Sequence, residues 1–221
     1  MLSVPYPSPV PPTPSEQRPS LRERKRARTR QALVEAAADL FTRNGYDATT
    51  VADIAAAADI GTRTFFSHFT SKEEVLFPEV DQRVGAAIEA IAARGPADGP
   101  VDVLARALRH PAVAASDDLV GPLATLRLQL IRTVPAVRGR ALQLQQDAQR
   151  EIARHLHAAY PEELDEVGAA ALVGAFVGAV GGALDALLDG GEPALAPDDV
   201  RERLSRAITV ALTPWLHRPG S

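Results

Sequence analysis

The sequence predicts an all-α fold, on three observations. Apolar residues recur at helical spacing, as in Leu33, Ala36, Ala37, Leu40 and Phe41, which follow the i, i+3, i+4, i+7, i+8 template. No segment alternates apolar and polar residues for more than a few positions, so no strand is predicted. Proline and glycine cut the chain into pieces of helical length, at Gly45, at Gly95-Pro96-Ala97-Asp98-Gly99-Pro100, and at Pro111, Pro135, Pro161 and Asp189-Gly190-Gly191. About nine helices follow, three in an N-terminal unit and the rest in a helical body.

Composition narrows the chemistry. With 221 residues and 46% apolar side chains the chain can bury a sizeable core. It has no cysteine, which removes disulfides, thiolate zinc sites and thiol catalysis and fits a cytoplasmic protein. The net charge is −4, but it is unevenly spread. Residues 22–72 hold nine basic against six acidic side chains, while residues 73–221 carry −7. A basic end on an acidic body suits a protein that touches DNA at one end.

Residues 1–21 are rich in proline and serine and read as a disordered tail. Arg22 to Arg30 is a basic run feeding the first helix, and Arg24, Arg26 and Arg28 are candidates for phosphate and minor-groove contact. Next come two short helices joined by a tight corner, from Thr50 to Phe69. Thr50 is a good N-cap and a candidate DNA contact, and Val51, Ile54 and Ala55 share a face. Asp59 stands where the chain must turn, and Asp tolerates a left-handed backbone. Ile60 plugs the corner and Gly61 opens the second helix, about Thr62 to Phe69. Phe65 and Phe69 are core candidates, and Phe66, open to either face, is counted among the DNA-contact candidates. Thr62, Arg63, Thr64, Ser67 and His68 offer groups of a size that reaches phosphates and base edges. This is a helix-turn-helix pattern. Lys72, beside the helix start at Ser71 and Glu74, is a candidate phosphate clamp.

At this point the chain resembles the TetR family of transcriptional regulators. The resemblance runs from Arg30 through Ala36-Ala37, Leu40-Phe41, Gly45-Tyr46, Thr49-Thr50-Val51, Ile54-Ala55, Ala58, Thr64-Phe65-Phe66, His68-Phe69 and Ser71-Lys72-Glu73-Glu74. Two positions depart from the family pattern. Asp59 replaces the usual corner glycine, and Phe66 replaces an aromatic whose phenolic oxygen usually meets phosphate. The resemblance implies a DNA-binding unit over 22–72 and a ligand-binding and dimerisation unit over 73–221, with double-stranded DNA as partner. It also implies that the last two helices form the interface of a homodimer, which suits a palindromic operator.

Beyond the corner, one helix is predicted from Lys72 to about Arg94, kinked or restarted at Pro78. Five more follow, at about 101–109, 117–132, 136–159, 162–189 and 198–216, with Glu162, Glu163, Asp165 and Glu166 as the acidic first turn of the fourth. Val167 to Leu184 is uncharged and long enough to raise a membrane span, yet it is mostly Ala and Gly with acidic flanks. It reads instead as a helix buried on most sides by protein, and no membrane partner is expected. Gly174, Gly178 and Gly182 make a flat stripe for close helix approach, and Val200, Leu204 and Ile208 on the following helix need a partner.

No catalytic set is visible, so no enzyme, metal or cofactor is expected. His155 and His157, two apart on a helix, face different ways. The helices over 101–188 are expected to enclose a mostly apolar effector cavity, with Arg127 first among its polar contacts and Gln129, Gln143 and Gln146 behind it. The Thr64-Phe65-Phe66 and Pro135-Ala136-Val137-Arg138 segments resemble a subgroup with acyl-CoA-like effectors. The expectation is a repressor released by a small apolar ligand. The competing readings are a constitutive or architectural DNA binder and, last, an enzyme with an incidental helix-turn-helix.

Overall fold

The computed structural model describes residues 20–110, 121–189 and 197–216. Among these residues all regular structure is helical. Residues 1–19, to which the expected tail extends, and 117–120, the start of one expected helix, lie outside the described set.

Helix α1 (Leu21–Asn44) begins earlier than expected. Ser20 and Glu23 form a capping box, with Ser20 Oγ accepting from the Glu23 N–H at 3.2 Å and Glu23 Oε2 accepting from the Ser20 N–H at 2.7 Å. The basic run is therefore the first turns of α1, and Ser20 and Leu21 belong to the helix rather than to a tail. Gly45, at φ 84°, ends it.

Helix α2 (Val51–Ala57) opens on the predicted cap, since Thr50 Oγ1 accepts from the Asp53 N–H at 3.1 Å. It closes in a Schellman turn: Ile60 N–H donates to the Ala55 carbonyl at 2.9 Å and Asp59 N–H to the Ala56 carbonyl at 3.0 Å. Asp59 holds the left-handed position, at φ 54°. Gly61 in extended conformation then caps α3 (Thr62–Phe66).

The helix expected from Lys72 to Arg94 is two elements. Glu73–Leu76 is a 3-10 turn, Pro78 lies in the break, and α4 runs over Val80–Ala92. Proline lacks an amide donor and disfavours helix at the residue before it, which decides between a kink and a restart. Of the expected Ser71–Glu74 box one half is present, with Ser71 Oγ accepting from the Glu74 N–H at 3.4 Å, while the Glu74 carboxylate accepts from the Thr70 N–H at 2.6 Å instead of the Ser71 N–H.

The body holds α5 (Pro100–Leu108), α6 (Pro122–Thr133), α7 (Pro135–Ala159), α8 (Glu166–Asp189) and α9 (Pro197–Leu216). Prolines open four of these five helices, where the missing N–H costs nothing. Of the expected acidic first turn only Glu166 is helical. Glu162 and Glu163 sit in a turn, and Asp165 Oδ1 accepts from the Gly168 N–H at 2.6 Å.

Two apolar cores result. The head core joins Leu33, Phe41, Ile54, Phe65, Phe69 and Leu76 with Leu130 of α6 and Val137 of α7. The body core packs Leu104, Leu156, Leu172, Val173 and Leu212 among α4, α5, α7, α8 and α9. By length and composition Glu166–Leu187 could cross a membrane. In the fold it buries only the face carrying Ala169, Leu172, Val173 and Phe176, and Ala170, Ala171, Gly178, Gly181 and Gly182 are exposed. The expected burial on most sides is thus corrected to burial on one.

Candidate nucleic-acid interface

Helix α3 is short, and packing decides what it displays. Phe65 and Phe69 are 0% and 1% exposed and turn into the head core. At 100° per residue the remaining positions Thr62, Phe66, Arg63 and Ser67 fall within an arc of about 140° on the other side, and all four are exposed. Thr64 and His68 are half-buried, both beyond Ser67 on one side of that arc.

The end of α3 is held by Arg30. Its Nη1 donates to the His68 carbonyl at 2.7 Å, its Nη2 to the Pro78 carbonyl at 3.2 Å, and its guanidinium lies 4.1 Å from the Phe69 ring centroid. Burial holds the Arg30 pKa below its ordinary value, against the pull of Asp81, Glu74 and Glu79. Arg30 belongs to the matched run of residues, but nothing local in the sequence marks it as the clip across 38 and 48 positions. His68 is pushed down by burial and then by Arg26 and Arg30, so its neutral form is favoured. Arg24, Arg26 and Arg28 are all exposed.

Lys72 does not point outward as a clamp. Its Nζ donates to the Tyr46 and Thr49 carbonyls, each at 2.9 Å, and sits 3.9 Å from the Tyr46 ring centroid. Two of its three donors therefore brace the loop before α2. Tyr46 Oη donates to Glu73, and burial with that bond raises the phenol pKa. Burial works to raise Glu73, but bonds from Tyr46 and Ser71 and the Lys72 charge hold it below the usual carboxylate value. Thr50 is used as a cap, its hydroxyl also donating to Asp53 Oδ2 at 2.6 Å.

The comparisons with known proteins fit this geometry. Residues 33–77, from the middle of α1 through the 3-10 turn, match the family model for bacterial regulatory proteins of the tetR family. The HTH-type transcriptional regulator TcmR of Streptomyces glaucescens is 32% identical over 152 residues, 67% of each chain. The chain belongs to the TetR family. It is a TetR-family transcriptional regulator with a helix-turn-helix DNA-binding head.

The fold extends the likeness beyond the head. The Thermus thermophilus FadR structure, a TetR-family transcriptional repressor in complex with lauroyl-CoA, aligns at TM-score 0.53 and 22% identity over 87% of this chain and 100% of that one. A TetR transcriptional regulator from Rhodococcus sp. RHA1 aligns at 0.50 and 21% over 88% and 99%.

In this TetR-family body the expected effector contacts are not gathered. Arg127 is 8% exposed, but its Nη1 donates to the Leu76 carbonyl at 3.4 Å and its guanidinium lies 5.9 Å from the Phe77 ring centroid. It ties α6 to the head. Gln129, Gln143 and Gln146 are exposed on α6 and α7, because the apolar residues between them claim the inner faces. A cleft of about 350 Å³ between α5 and α9 is lined by Asp98, Asp102, Arg106, Arg109 and Thr209 with the apolar Val101, Ala105 and Ile208. It is charged rather than apolar, and Arg106 is already bound to Asp98.

The residues expected at a dimer interface also separate. Gly178 and Gly182 are exposed and Gly174 is half-exposed on α8. Val200, Leu204 and Ile208 are 3%, 2% and 3% exposed, packed within the chain itself, so they present no surface to a second copy. Among the described residues of α8 and α9, the large apolar side chains left exposed are Val167 and Val210, at 76% and 78%.

Proposed function

We propose that the protein is a homodimeric repressor that binds a palindromic operator through paired α3 helices and is released by a small apolar ligand. The observation that carries the DNA-reading part is the outward arc of Thr62, Arg63, Phe66 and Ser67, clear of the chain's own packing. Thr64 and His68 border it on the Ser67 side, and Arg24, Arg26 and Arg28 on the first turns of α1 supply phosphate contacts. Residues 22–72 are the reading unit and 73–221 the dimerising, ligand-binding unit, working in the cytoplasm without a metal or organic cofactor.

Dimerisation is supported by the glycines of α8. Each glycine inside a helix costs about 0.5–1 kcal/mol relative to alanine. A Cβ added at Gly174, Gly178 or Gly182 would meet nothing within 4 Å in this chain. Close approach of a second helix is what such a stripe permits. The ligand class rests on the lauroyl-CoA held by the FadR structure of the same fold. A ligand shifts the head only through unequal affinity for two states.

The test is binding of the purified full chain to DNA from its own promoter region against random duplex, at several salt concentrations. A preferred site with two-fold symmetry, bound by two copies and released by a long-chain acyl-CoA, is expected. Equal affinity for random duplex would reject the proposal.

A further inference from the structure

Phe66 is anomalous on the face it occupies. It is 56% exposed at the middle of the α3 arc, between Thr62, Arg63 and Ser67, all of which can form hydrogen bonds. Its ring is not loose. It meets the fully buried Phe65 edge-on, with centroids 5.4 Å apart and planes at 82°. A benzyl ring has no group to hydrogen-bond a phosphate or the polar edge of a base. The apolar feature that the major groove offers is the 5-methyl group of thymine. A rigid aromatic pays little conformational entropy on burial, and covering that methyl removes apolar surface from water on both sides.

We infer that Phe66 reads sequence, packing its ring against a thymine 5-methyl in each half-site of the operator. The inference rests on the proposed role of α3 and adds a base preference to it. The basic side chains of α1 and Arg63 draw a polyanion to this face, which argues for DNA rather than an apolar protein partner.

The full chain is used to select duplexes from a randomised pool. Each thymidine of the selected sequence is then replaced in turn by deoxyuridine, which deletes one methyl and leaves base pairing and charge intact. Wild-type protein is expected to lose about three- to fivefold in affinity at one position per half-site, the worth of one buried methyl. Replacing both should cost about tenfold or more. Phe66→Ala is expected to bind the thymine and uracil forms equally, with an unchanged circular dichroism spectrum. Phe66→Gln is a second variant with the same expectation. Uniform wild-type affinity for every uracil duplex overturns the inference, as does an alanine or glutamine variant that keeps the full penalty. A selection that returns no duplex preferred over random DNA overturns the DNA-reading proposal and this inference with it, a result distinct from uniform affinity among preferred duplexes.

Discussion

Head and body are built from different materials. The head core is aromatic, with Phe41, Tyr46, Phe65, Phe69 and Phe77 all below 10% exposure around a five-residue helix. The body core is largely aliphatic and small, and α8 repeats alanine and glycine along its length. Large rings fill the space a short helix cannot, so α3 holds its position while displaying four residues. Small residues let long helices approach and leave one face of α8 uncovered. Three arginines cross from one region to the other. Arg30 reaches the Pro78 carbonyl, Arg127 the Leu76 carbonyl, and Arg140 Nη2 lies 3.4 Å from Glu74 Oε2.

The sharpest way to break the contrast is Phe65→Ala. Truncating a fully buried phenylalanine costs about 3–5 kcal/mol. Calorimetry should resolve loss of the head with the α7–α9 core still melting cooperatively; one transition for the whole chain would mean the two cores are inseparable. The next largest effect is expected from Gly178→Gln. An added side chain has open space within the chain and raises helix propensity, so the monomer should be no less stable. If the α8 face seats a second copy, light scattering should report a monomer, and operator affinity should fall about 10²-fold or more from lost bivalency. A dimer with normal affinity would locate the interface elsewhere.

Smaller effects test the joints. Arg127→Met keeps the aliphatic stem but removes the bond to the Leu76 carbonyl, and a lost charged hydrogen bond costs about 1.5–3 kcal/mol. Hydrogen exchange in the Glu73–Leu76 turn should quicken; unchanged protection there would deny the link. Lys72→Ala should destabilise the head by about 1–2 kcal/mol through loss of the charged hydrogen bonds to the Tyr46 and Thr49 carbonyls, while leaving the salt dependence of DNA binding unchanged. A salt slope smaller by about one would restore Lys72 as a phosphate contact. The smallest effect concerns His68, whose folded pKa lies below the ordinary 6.5. As pH falls through 6.5 the unfolded chain takes up the proton first, so head stability declines, levelling once pH passes below the folded pKa. Chemical denaturation at stepped pH should record this decline, and His68→Gln should flatten it.

Local signals made much of this protein legible in advance. The helical periodicity around Leu33, the Thr50 cap, the left-handed Asp59 and the Gly61 start each depend on neighbours within a turn or two, so the sequence carries them directly. The inward Phe65 and Phe69 follow from the same spacing. Tertiary structure decided the rest. The arginines are visible in the sequence, but their partners lie far along the chain: the His68 and Pro78 carbonyls for Arg30 and the Leu76 carbonyl, 51 positions away, for Arg127. Lys72 turned inward to the Tyr46 and Thr49 carbonyls of the loop before α2, of which the Tyr46 carbonyl also accepts the Thr49 N–H at 3.3 Å. Val200, Leu204 and Ile208 had the pattern of an interface, and packing gave that face to the chain's own core. A charge or an apolar stripe states a need for a partner, and only the packed fold determines which group supplies it.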